Sequence, residues 1–217
     1  KAAADVLINA GAQVNVCDKH GNTAPIIASK AGHVDMLRLL LSAGADAFAS
    51  NAAGDTPLKC ALAQDHVDLL SVLAQVQDAN GNTVLLLAAQ AGDIDCVKKL
   101  LAANASVDVS NKDGKTALQL AAENDHKAVV QLLSKIPDAE DNSAVAMAAH
   151  IGDMELLNKL IASKAALNVH NASGRTPVML AARNGHADAV KALLAARANP
   201  RARDNDGFSA MAEAAYH

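Results

Sequence analysis

Aromatic residues are almost absent from this sequence, which has no tryptophan, one tyrosine and two phenylalanines among its 217 residues. Apolar residues nevertheless make up 51% of the chain, so alanine, leucine and valine must form its interior. Strands favour β-branched and aromatic residues, whereas alanine is the best helix former and lets neighbouring backbones lie close together. The composition therefore argues against a β-sandwich and favours short, closely packed helices.

Long hydrophobic runs and paired cysteines are missing as well. No uninterrupted apolar run approaches the roughly 18 residues of a membrane-spanning helix, and no signal-peptide pattern opens the chain. Cys17, Cys60 and Cys96 are widely spaced in apolar stretches, which predicts small buried thiols in a reducing compartment rather than disulfides or metal ligands. We expect no membrane span and a cytoplasmic protein, with the nucleus as the alternative location.

Motifs for catalysis and metal binding are also absent. The sequence has no His-Glu-x-x-His, no Cys-x-x-Cys and no Gly-x-Ser-x-Gly. Four histidines recur at regular spacing along the chain, too far apart to share a metal ion. We expect each of them to cap the helix that follows it. They are His33, His66, His126 and His186. The sequence thus predicts no enzyme, no cofactor, no metal site and no small-molecule substrate.

A phrase that recurs about every 33 residues is the main positive feature of the sequence. It reads Asp/Asn-x-x-Gly-x-Thr, followed by an apolar stretch, a short step and a second apolar stretch that ends in Leu-Leu. Copies start at Asp18, Asn51, Asp78, Asn111, Asp138, Asn171 and Asp204. A fixed period of this length is typical of a solenoid in which each repeat buries its apolar face against its neighbours. The fold class predicted is an all-α repeat solenoid.

Each repeat is predicted to contain a tight turn, a first helix, a second helix and, in the longer copies, an extended return segment. In the repeat that starts at Asp18, we predict a first helix over Pro25–Ala31 and a second helix between His33 and Gly44. A hydroxyl residue recurs where it can cap the first helix. These residues are Thr23, Thr56, Thr83, Thr116, Ser143, Thr176 and Ser209.

The repeats differ in length in an orderly way. Residues 51–77 and 111–137 match the longer copies through the second helix and then lack the return segment. We expect blunt or missing turns there, with gaps in the row of turns near Gln77–Asp78 and Pro137–Asp138. Residues 18–77 also align with residues 78–137 as a block, which indicates that a pair of repeats was duplicated.

The chain is predicted to form one domain with incomplete repeats at both ends. Its parts are a partial repeat 1–17, repeats 18–50, 51–77, 78–110, 111–137, 138–170 and 171–203, and a partial repeat 204–217. Because the first part lacks a first helix and the last part lacks a second helix, we expect a piece of a longer array or of a larger protein.

Several stretches resemble the ankyrin repeat. They are Gly54-Asp-Thr-Pro-Leu58, Gly174-Arg-Thr-Pro-Val178, Ala181-Ala-Arg-Asn-Gly-His186 and Leu40-Leu-Ser-Ala-Gly-Ala-Asp46. The resemblance covers the whole chain and implies a stack of antiparallel helix pairs with β-turn fingers, two of them shortened here. It also implies a concave groove of fingertips and first helices that binds other proteins. The family's Thr-Pro-Leu-His histidine is absent from every repeat, so its hydrogen bonds are not expected.

The resemblance also implies where a partner would be contacted. The family's variable contact residues flank the turn glycine and lie just before the Gly-His step. The candidate partner-binding residues at these positions and on the last return segment are Lys112, Lys115, Glu123, Asn142, His150, Arg175, Arg183, Asn184, Arg201, Arg203 and Phe208.

Arginine is concentrated at the end of the chain, where five of the six arginines lie between residues 175 and 203. One interpretation is a solvated face. Another is a site for an acidic or phosphorylated segment at Arg175, Arg183 and Arg203, since arginine binds carboxylate and phosphate through paired hydrogen bonds. Nucleic acid is disfavoured because the net charge is −4 and no aromatic residue lies between the arginines for base stacking.

Two functions therefore stay open at this point. The first is a non-catalytic module that binds a protein partner through the groove, with an acidic segment as the candidate ligand near the last repeats. The second is a targeting or structural arm of a larger enzyme, channel or effector, whose active part lies outside these residues.

Overall fold

The computed structural model describes residues 2–137 and 143–216, apart from the side chain of Tyr216. Fourteen α-helices lie in these residues. They are α1 (Ala2–Asn9), α2 (Ala24–Lys30), α3 (Val34–Ser42), α4 (Pro57–Ala63), α5 (Val67–Leu73), α6 (Val84–Ala91), α7 (Ile94–Ala102), α8 (Ala117–Glu123), α9 (Lys127–Leu133), α10 (Ala144–Ile151), α11 (Met154–Ala162), α12 (Pro177–Arg183), α13 (Ala187–Ala195) and α14 (Ala210–Tyr216). Within the described residues the only β-structure consists of isolated bridges. The fold is the predicted all-α repeat solenoid.

The chain divides into two compact units. The first unit contains the residues up to Ala88 together with Asp93–Gly114, and the second contains Ala89–Gly92 together with the residues from Lys115 onward.

Helix pairs stack on one another in the first unit. The first helices α2 and α4 pack together, and the second helices α3, α5 and α7 pack in succession. Helices of seven to nine residues are marginal in isolation, so this stacking supplies most of their stability. Leu37, Leu69 and Leu100, one from each second helix, are completely buried.

The second unit follows the same plan. Its first helices α10, α12 and α14 pack in order, and its second helix α11 packs against α13 and α8. Alanine fills the space where the first helices approach each other, and Ala148, Ala149 and Ala181 are completely buried. The prediction that alanine and leucine form the interior is confirmed in both units.

The predicted hydroxyl caps form in five repeats. In each, the side-chain oxygen accepts a hydrogen bond from the backbone N–H three residues later, at 3.1–3.4 Å. The capping residues are Thr56, Thr83, Thr116, Ser143 and Ser209. The prediction is wrong for Thr23 and Thr176, whose buried hydroxyls find no hydrogen-bond partner among the described residues.

The residue that opens each turn explains why aspartate or asparagine recurs there. The side-chain oxygen of Asp18 accepts hydrogen bonds from the N–H groups of His20 and Asn22, both at 2.8 Å. The Asp18 N–H in turn donates to the Asn22 carbonyl at 3.1 Å and closes the turn. Hydrogen bonds from the Asn22 side chain and backbone hold the pKa of Asp18 below its ordinary value.

Turns stack in pairs where a return segment joins two repeats. The N–H of Ala52 donates to the carbonyl of His20 at 3.1 Å, and the N–H of Lys112 donates to the carbonyl of Asn80 at 2.9 Å. In the second unit, Asn205 donates to Ser173 in the same way at 3.2 Å.

The first short repeat interrupts this row of turns. The turn itself is formed at the place where the sequence predicted a blunt or missing one, because the Asp78 N–H donates to the Asn82 carbonyl at 2.9 Å. Within residues 51–83, all of which the structure describes, no backbone hydrogen bond joins the two turns, and open space lies beside Gly54. Residues 74–77 are too short to carry the next turn out to its neighbour. The second gap, predicted near Pro137–Asp138, extends outside the described residues.

Return segments are also joined to each other. In the first unit, the Asp46 N–H donates to Asn15 Oδ1 at 2.8 Å, and Asn15 Nδ2 donates to the Gly44 carbonyl at 3.1 Å. In the second unit, the Asn199 N–H donates to Asn168 Oδ1 at 2.7 Å. An asparagine in one return segment therefore holds the next one beside it.

Candidate protein-binding surface

Two positions recur in every repeat, and we call the side chains at these positions, in either unit, the turn–helix surface. One lies in the turn just before the capping residue, and the other ends the first helix. The turn positions are Asn22, Asp55, Asn82, Lys115, Arg175 and Phe208, and the helix positions are Lys30, Ala63, Gln90, Glu123, His150 and Arg183. All of these except Asn82 are exposed or half-buried, so they are available to a partner. Asn142, another predicted contact, lies outside the described residues.

In the first unit, an exposed ion pair joins neighbouring repeats on this surface. Lys30 Nζ donates to Asp55 Oδ2 at 2.8 Å, and the two side chains are 45% and 38% exposed. This hydrogen bond is the main cause that raises the pKa of Lys30 and lowers the pKa of Asp55. Solvent screens such a pair, so its contribution to stability is small.

In the second unit, the predicted contacts Lys115 and Glu123 pair with each other. Lys115 Nζ lies 2.8 Å from Glu123 Oε2, and both side chains are 40% exposed. Lys112, in the first unit, is exposed, and only its backbone N–H takes part in stacking the turns. These three side chains therefore present charge at the surface.

The buried carboxylate of Glu213 pairs with two of the predicted contacts, Arg175 and Arg183. Arg175 Nε donates to Glu213 Oε1 at 2.7 Å and lies 3.6 Å from Asp204 Oδ2. Arg183 lies 3.8 Å from the other oxygen of Glu213. The Glu213 and Asp204 side chains are 6% and 0% exposed. The hydrogen bond to Glu213 raises the pKa of Arg175 further above its ordinary value.

Sequence reasoning did not identify Glu213. The equivalent positions of the earlier first helices are apolar: Ile27, Cys60, Leu87, Leu120, Met147 and Leu180. A carboxylate at an apolar position was the signal that could have identified it, because a buried charge needs a partner. Together with Arg175, Arg183 and Phe208, Glu213 lines a shallow depression of about 210 Å³.

The predicted contacts His150 and Asn184 bind each other across two repeats. Asn184 Nδ2 donates to the His150 carbonyl at 3.0 Å, lies 2.8 Å from His150 Nδ1 and donates to the Leu180 carbonyl at 3.1 Å. Both residues are exposed at their outer edge. Asn184 thus holds neighbouring repeats together as well as facing solvent.

Arg201 and Arg203 lie on the return segment 196–203, and Arg203 bridges to Ser209, the residue after Phe208. Both arginines are exposed. Arg203 Nη1 donates to the carbonyl of Gly207 in the following turn at 2.7 Å. The structure therefore separates the five late arginines: Arg175 and Arg183 adjoin Glu213, whereas Arg197, Arg201 and Arg203 belong to the return segment.

The recurring histidines act differently from their prediction. None of the four makes a side-chain cap for the helix that follows it. Instead, the rings of His126 and His186 reach the preceding repeat, where Nε2 lies 2.9 Å from the Gln90 carbonyl and 3.0 Å from the His150 carbonyl. The prediction of capping is wrong because a glycine in the preceding repeat leaves room for the ring.

One of the three cysteines also departs from its prediction. Cys60 and Cys96 are buried and unpaired, and burial raises the pKa of both thiols, that of Cys96 to about 11. Cys17 is exposed, so the expectation of three buried thiols is wrong there. It lies in the extended segment that bridges to Thr23, outside the helix packing that covers the other two.

The part of the chain that the structure describes contains neither a metal-binding cluster nor a membrane-spanning helix. No three His, Cys, Asp or Glu side chains in residues 2–137 and 143–216 are placed to hold a metal ion. Over the same part of the chain, every helix is too short or too polar to cross a bilayer.

Comparison with known proteins identifies the family. The model described as ankyrin repeats matches three stretches, residues 1–78, 74–143 and 145–217. The chain therefore belongs to the ankyrin repeat family, as the sequence motifs predicted. Ankyrin repeats are in general non-catalytic protein-interaction modules.

Similar proteins are much longer than this chain. The human Transient receptor potential cation channel subfamily A member 1 is 28% identical over 219 residues, which cover 96% of this chain and 17% of the channel. The Caenorhabditis elegans Ankyrin repeat and KH domain-containing protein mask-1 is 33% identical over 147 residues, or 64% of this chain and 6% of that protein. The Danio rerio Ankyrin repeat and SAM domain-containing protein 6 is 31% identical over 132 residues, or 57% of this chain and 18% of that protein. The chain spans less than a fifth of each of these relatives.

Proposed function

We propose that this chain is a non-catalytic module that binds a protein partner through its turn–helix surface. The family supports protein binding in general. Variation among the side chains of the turn–helix surface supports this location, because they differ from repeat to repeat while the helices that carry them recur. Amide, acidic, basic and aromatic groups all occur at these positions, for example Asn22, Asp55, Lys115 and Phe208.

The observation that carries the proposal is that these side chains already hold one another in position. Lys30 with Asp55, Lys115 with Glu123, and Arg175 with Glu213 are all paired at 2.7–2.8 Å. Side chains ordered before binding lose less conformational entropy when a partner arrives. A surface of this kind can therefore bind with specificity through a small number of contacts.

The earlier hypothesis of an acidic segment at Arg175 and Arg183 has less support from this geometry. Glu213 and Asp204 already supply two negative charges to these two arginines. An incoming carboxylate would have to compete with them. Acidic recognition is therefore better sought at the remaining arginines.

The test uses a charge swap that keeps the ion pair intact. Wild-type protein and a Lys115→Glu, Glu123→Lys variant are used to capture proteins from a cell extract, which are then identified and measured by quantitative mass spectrometry. We expect a partner that the wild type retains and the swapped variant loses, because the pair persists while the surface charges exchange places. Lys98→Glu, an exposed change on the second helix α7, is the matched control and should retain that partner.

Two results would contradict this function. If every captured protein bound the swapped variant and the wild type equally, the region around Lys115 and Glu123 would not contact a partner. If partners were lost with Lys98→Glu instead, the contacts would lie on the second helices.

A second candidate function is an arm that targets or supports a larger enzyme, channel or effector. It is favoured by the human relative, a cation channel of which this chain spans 17%. Determining the complete coding sequence is the direct test, and an uninterrupted ankyrin array with no further domain would contradict it. We also propose a cytoplasmic location, with the nucleus as the alternative, and imaging of the tagged full-length protein in its own cells would decide between them.

A further inference from the structure

The return segments of the last two complete repeats carry a set of unpaired cations that we name the basic return patch. Its residues are Lys164 on segment 163–170, and Arg197, Arg201 and Arg203 on segment 196–203. We propose that this patch binds an extended acidic segment of a protein partner. The proposal deepens the protein-binding function above and rests on it, but it places acidic recognition on the return segments and not at Arg175 and Arg183.

One hydrogen bond between the two return segments and one within the second segment position the patch. The Asn199 N–H donates to Asn168 Oδ1 at 2.7 Å, and the Arg201 N–H donates to Asn199 Oδ1 at 3.0 Å. Lys164 and Arg197 occupy equivalent positions of their repeats, with φ of 60° and 69°. Lys164 and Arg197 therefore lie at matching positions of neighbouring segments, and Arg201 and Arg203 follow Arg197 on the second segment.

The distribution of charge leaves these cations without a neutralising partner. Residues 156–203 contain one acid, Asp188, and it pairs with Lys191 at 3.1 Å. Lys159 pairs with Glu155 at 3.1 Å, and Glu213 serves Arg175 and Arg183. Among the residues that the structure describes, no carboxylate forms an ion pair with Lys164, Arg197, Arg201 or Arg203.

All four side chains are exposed, so a ligand can reach them. Arg203 is partly engaged, since Nη1 donates to the Gly207 carbonyl, but a carbonyl carries no net charge and leaves the positive charge in place. The nearby carboxylate of Asp204 is buried beside Arg175. The last turn also carries an exposed acid, Asp206, which forms no ion pair with the four cations in the described residues.

The chemistry of the patch favours carboxylates on an extended chain. Three of the four cations are arginines, which form paired hydrogen bonds with carboxylates. Arg201 lies in a turn and Arg203 in the isolated bridge to Ser209, so these cations follow one another along the backbone of the return segment. An extended partner presents side chains along its whole length and can offer carboxylates to cations at several points of the two segments. Base stacking is not supported, because no aromatic residue lies on either return segment.

The return segments of the first unit provide an internal contrast. Segments 43–50 and 103–110 carry Asp46 and Asp108 and contain no lysine or arginine. The hydrogen bond that links segments is nevertheless the same, since the Asp46 N–H donates to Asn15 Oδ1. The positive charge in the second unit is therefore not required for joining return segments.

The experiment measures binding of a fluorescein-labelled peptide of about ten alternating glutamate and alanine residues by fluorescence anisotropy, at about 50 mM and about 150 mM salt. The test variant is Arg197→Gly with Arg201→Gln. Neither side chain forms a hydrogen bond or an ion pair with the described residues, and Gly44 shows that glycine suits the first position. We expect the variant to bind about tenfold or more weakly and with a shallower salt dependence, because charge-assisted hydrogen bonds are lost.

Matched controls separate this proposal from the function proposed above. Arg38→Gln, which removes an exposed arginine in α3, should leave peptide binding unchanged, and so should the Lys115→Glu, Glu123→Lys swap. Equal binding by the wild type and the Arg197, Arg201 variant would overturn the patch, as would no binding of the peptide by the wild type. Tighter binding of vesicles with anionic phospholipid, or of single-stranded DNA, than of the peptide would overturn the choice of partner. None of these results would affect the proposed function, because that function is tested by the loss of a captured partner on changing Lys115 and Glu123.

Discussion

Lys30–Asp55 in the first unit and Arg175–Glu213 in the second are both ion pairs of the turn–helix surface, but their surroundings differ. The first pair is about two-fifths exposed on each side. In the second, the arginine is 21% exposed and the glutamate 6%. Attraction between charges is screened by water, whereas a buried charge that loses its partner is costly. Loss of the ion pair should therefore change the stability of the first unit little and that of the second unit substantially.

Removal of one partner from each pair should produce the largest difference between the units. Glu213→Ala leaves Arg175 with only Asp204 and should cost about 2 kcal/mol, less than the roughly 3–5 kcal/mol for breaking a fully buried pair, because Arg175 keeps some access to water. Asp55→Ala should cost much less. Hydrogen exchange of the native protein at α14 and α4 would measure both, since repeat arrays open locally.

Equal losses in the two variants would contradict this interpretation. Glu213→Gln is the control for shape, because it keeps the side-chain volume and a hydrogen-bond acceptor while removing the charge. It should fall between the wild type and Glu213→Ala.

The histidine contacts also separate the two units. A Cβ at Gly152 would lie 2.7 Å from Nδ1 and 3.0 Å from Cγ of His186, whereas one at Gly32 would lie 3.0 Å from Nε2 at the tip of His66. Both glycines have φ near 73°, so the cost of the left-handed backbone is shared. Gly152→Ala should cost about 1 kcal/mol more than Gly32→Ala, because the His186 ring must move and lose its bond to His150.

Thermal denaturation of both alanine variants would measure this difference. Gly185→Ala is a useful third variant, since no described atom lies within 4 Å of a Cβ there and φ is 73°. It should report the backbone cost alone, and a loss as large as that of Gly152→Ala would show that the histidine contact adds nothing.

Glycine and arginine at one position of the return segments should have opposite effects on the stability of the protein. Gly44 and Arg197 occupy equivalent positions with φ of 85° and 69°. A side chain in this region costs about 1 kcal/mol relative to glycine. Arg197→Gly should therefore stabilise the second unit by about that amount, and Gly44→Arg should destabilise the first unit similarly. Urea denaturation followed by circular dichroism would test both, and destabilisation by Arg197→Gly would show that the arginine makes a stabilising contact.

The smallest expected effect is the change in the pKa of Asp55 when its exposed ion pair with Lys30 is removed. The hydrogen bond from Lys30, followed by that from Asn51, lowers the pKa of Asp55. A carboxyl group whose pKa is lower in the folded protein stabilises it above the unfolded pKa, and this contribution is lost as the pH falls through the folded value. In Lys30→Met, the pKa of Asp55 measured by NMR titration should rise toward 3.8. An unchanged pKa would mean that Asn51 alone causes the shift.

Much of the fold could be predicted because its causes are local and repeated. The first helix predicted at Pro25–Ala31 lies at Ala24–Lys30, and the second lies at Val34–Ser42, inside the predicted limits. Turn residues and apolar spacing recur in each repeat, so an error in one copy is corrected by the others. The same periodicity predicted the interruption of the row of turns after the first short repeat.

The contacts between repeats could not be predicted in this way, since they join residues far apart in sequence. Arg175 was interpreted as an exposed cation because its partner Glu213 is 38 residues away. The histidines were interpreted as caps because capping is the local explanation. Such contacts decide which polar side chains pair within the protein and which are available to a partner. The candidate site was therefore predicted less completely than the fold.

The histidine contact sets the step by which this array could change in length. His66, His126 and His186 each follow a repeat with glycine at the facing position, whereas the repeats after Asp65 and Asp125 have Asp93 and Asp153 instead of histidine. Deleting residues 51–110 would join Ser50 to Asn111 and place His126 opposite Gly32, which reproduces a junction already present. Deleting residues 78–110 alone would place His126 opposite Asp65. The deletion of two repeats thus preserves the pairing of glycine with histidine, and the deletion of one repeat creates a mismatch.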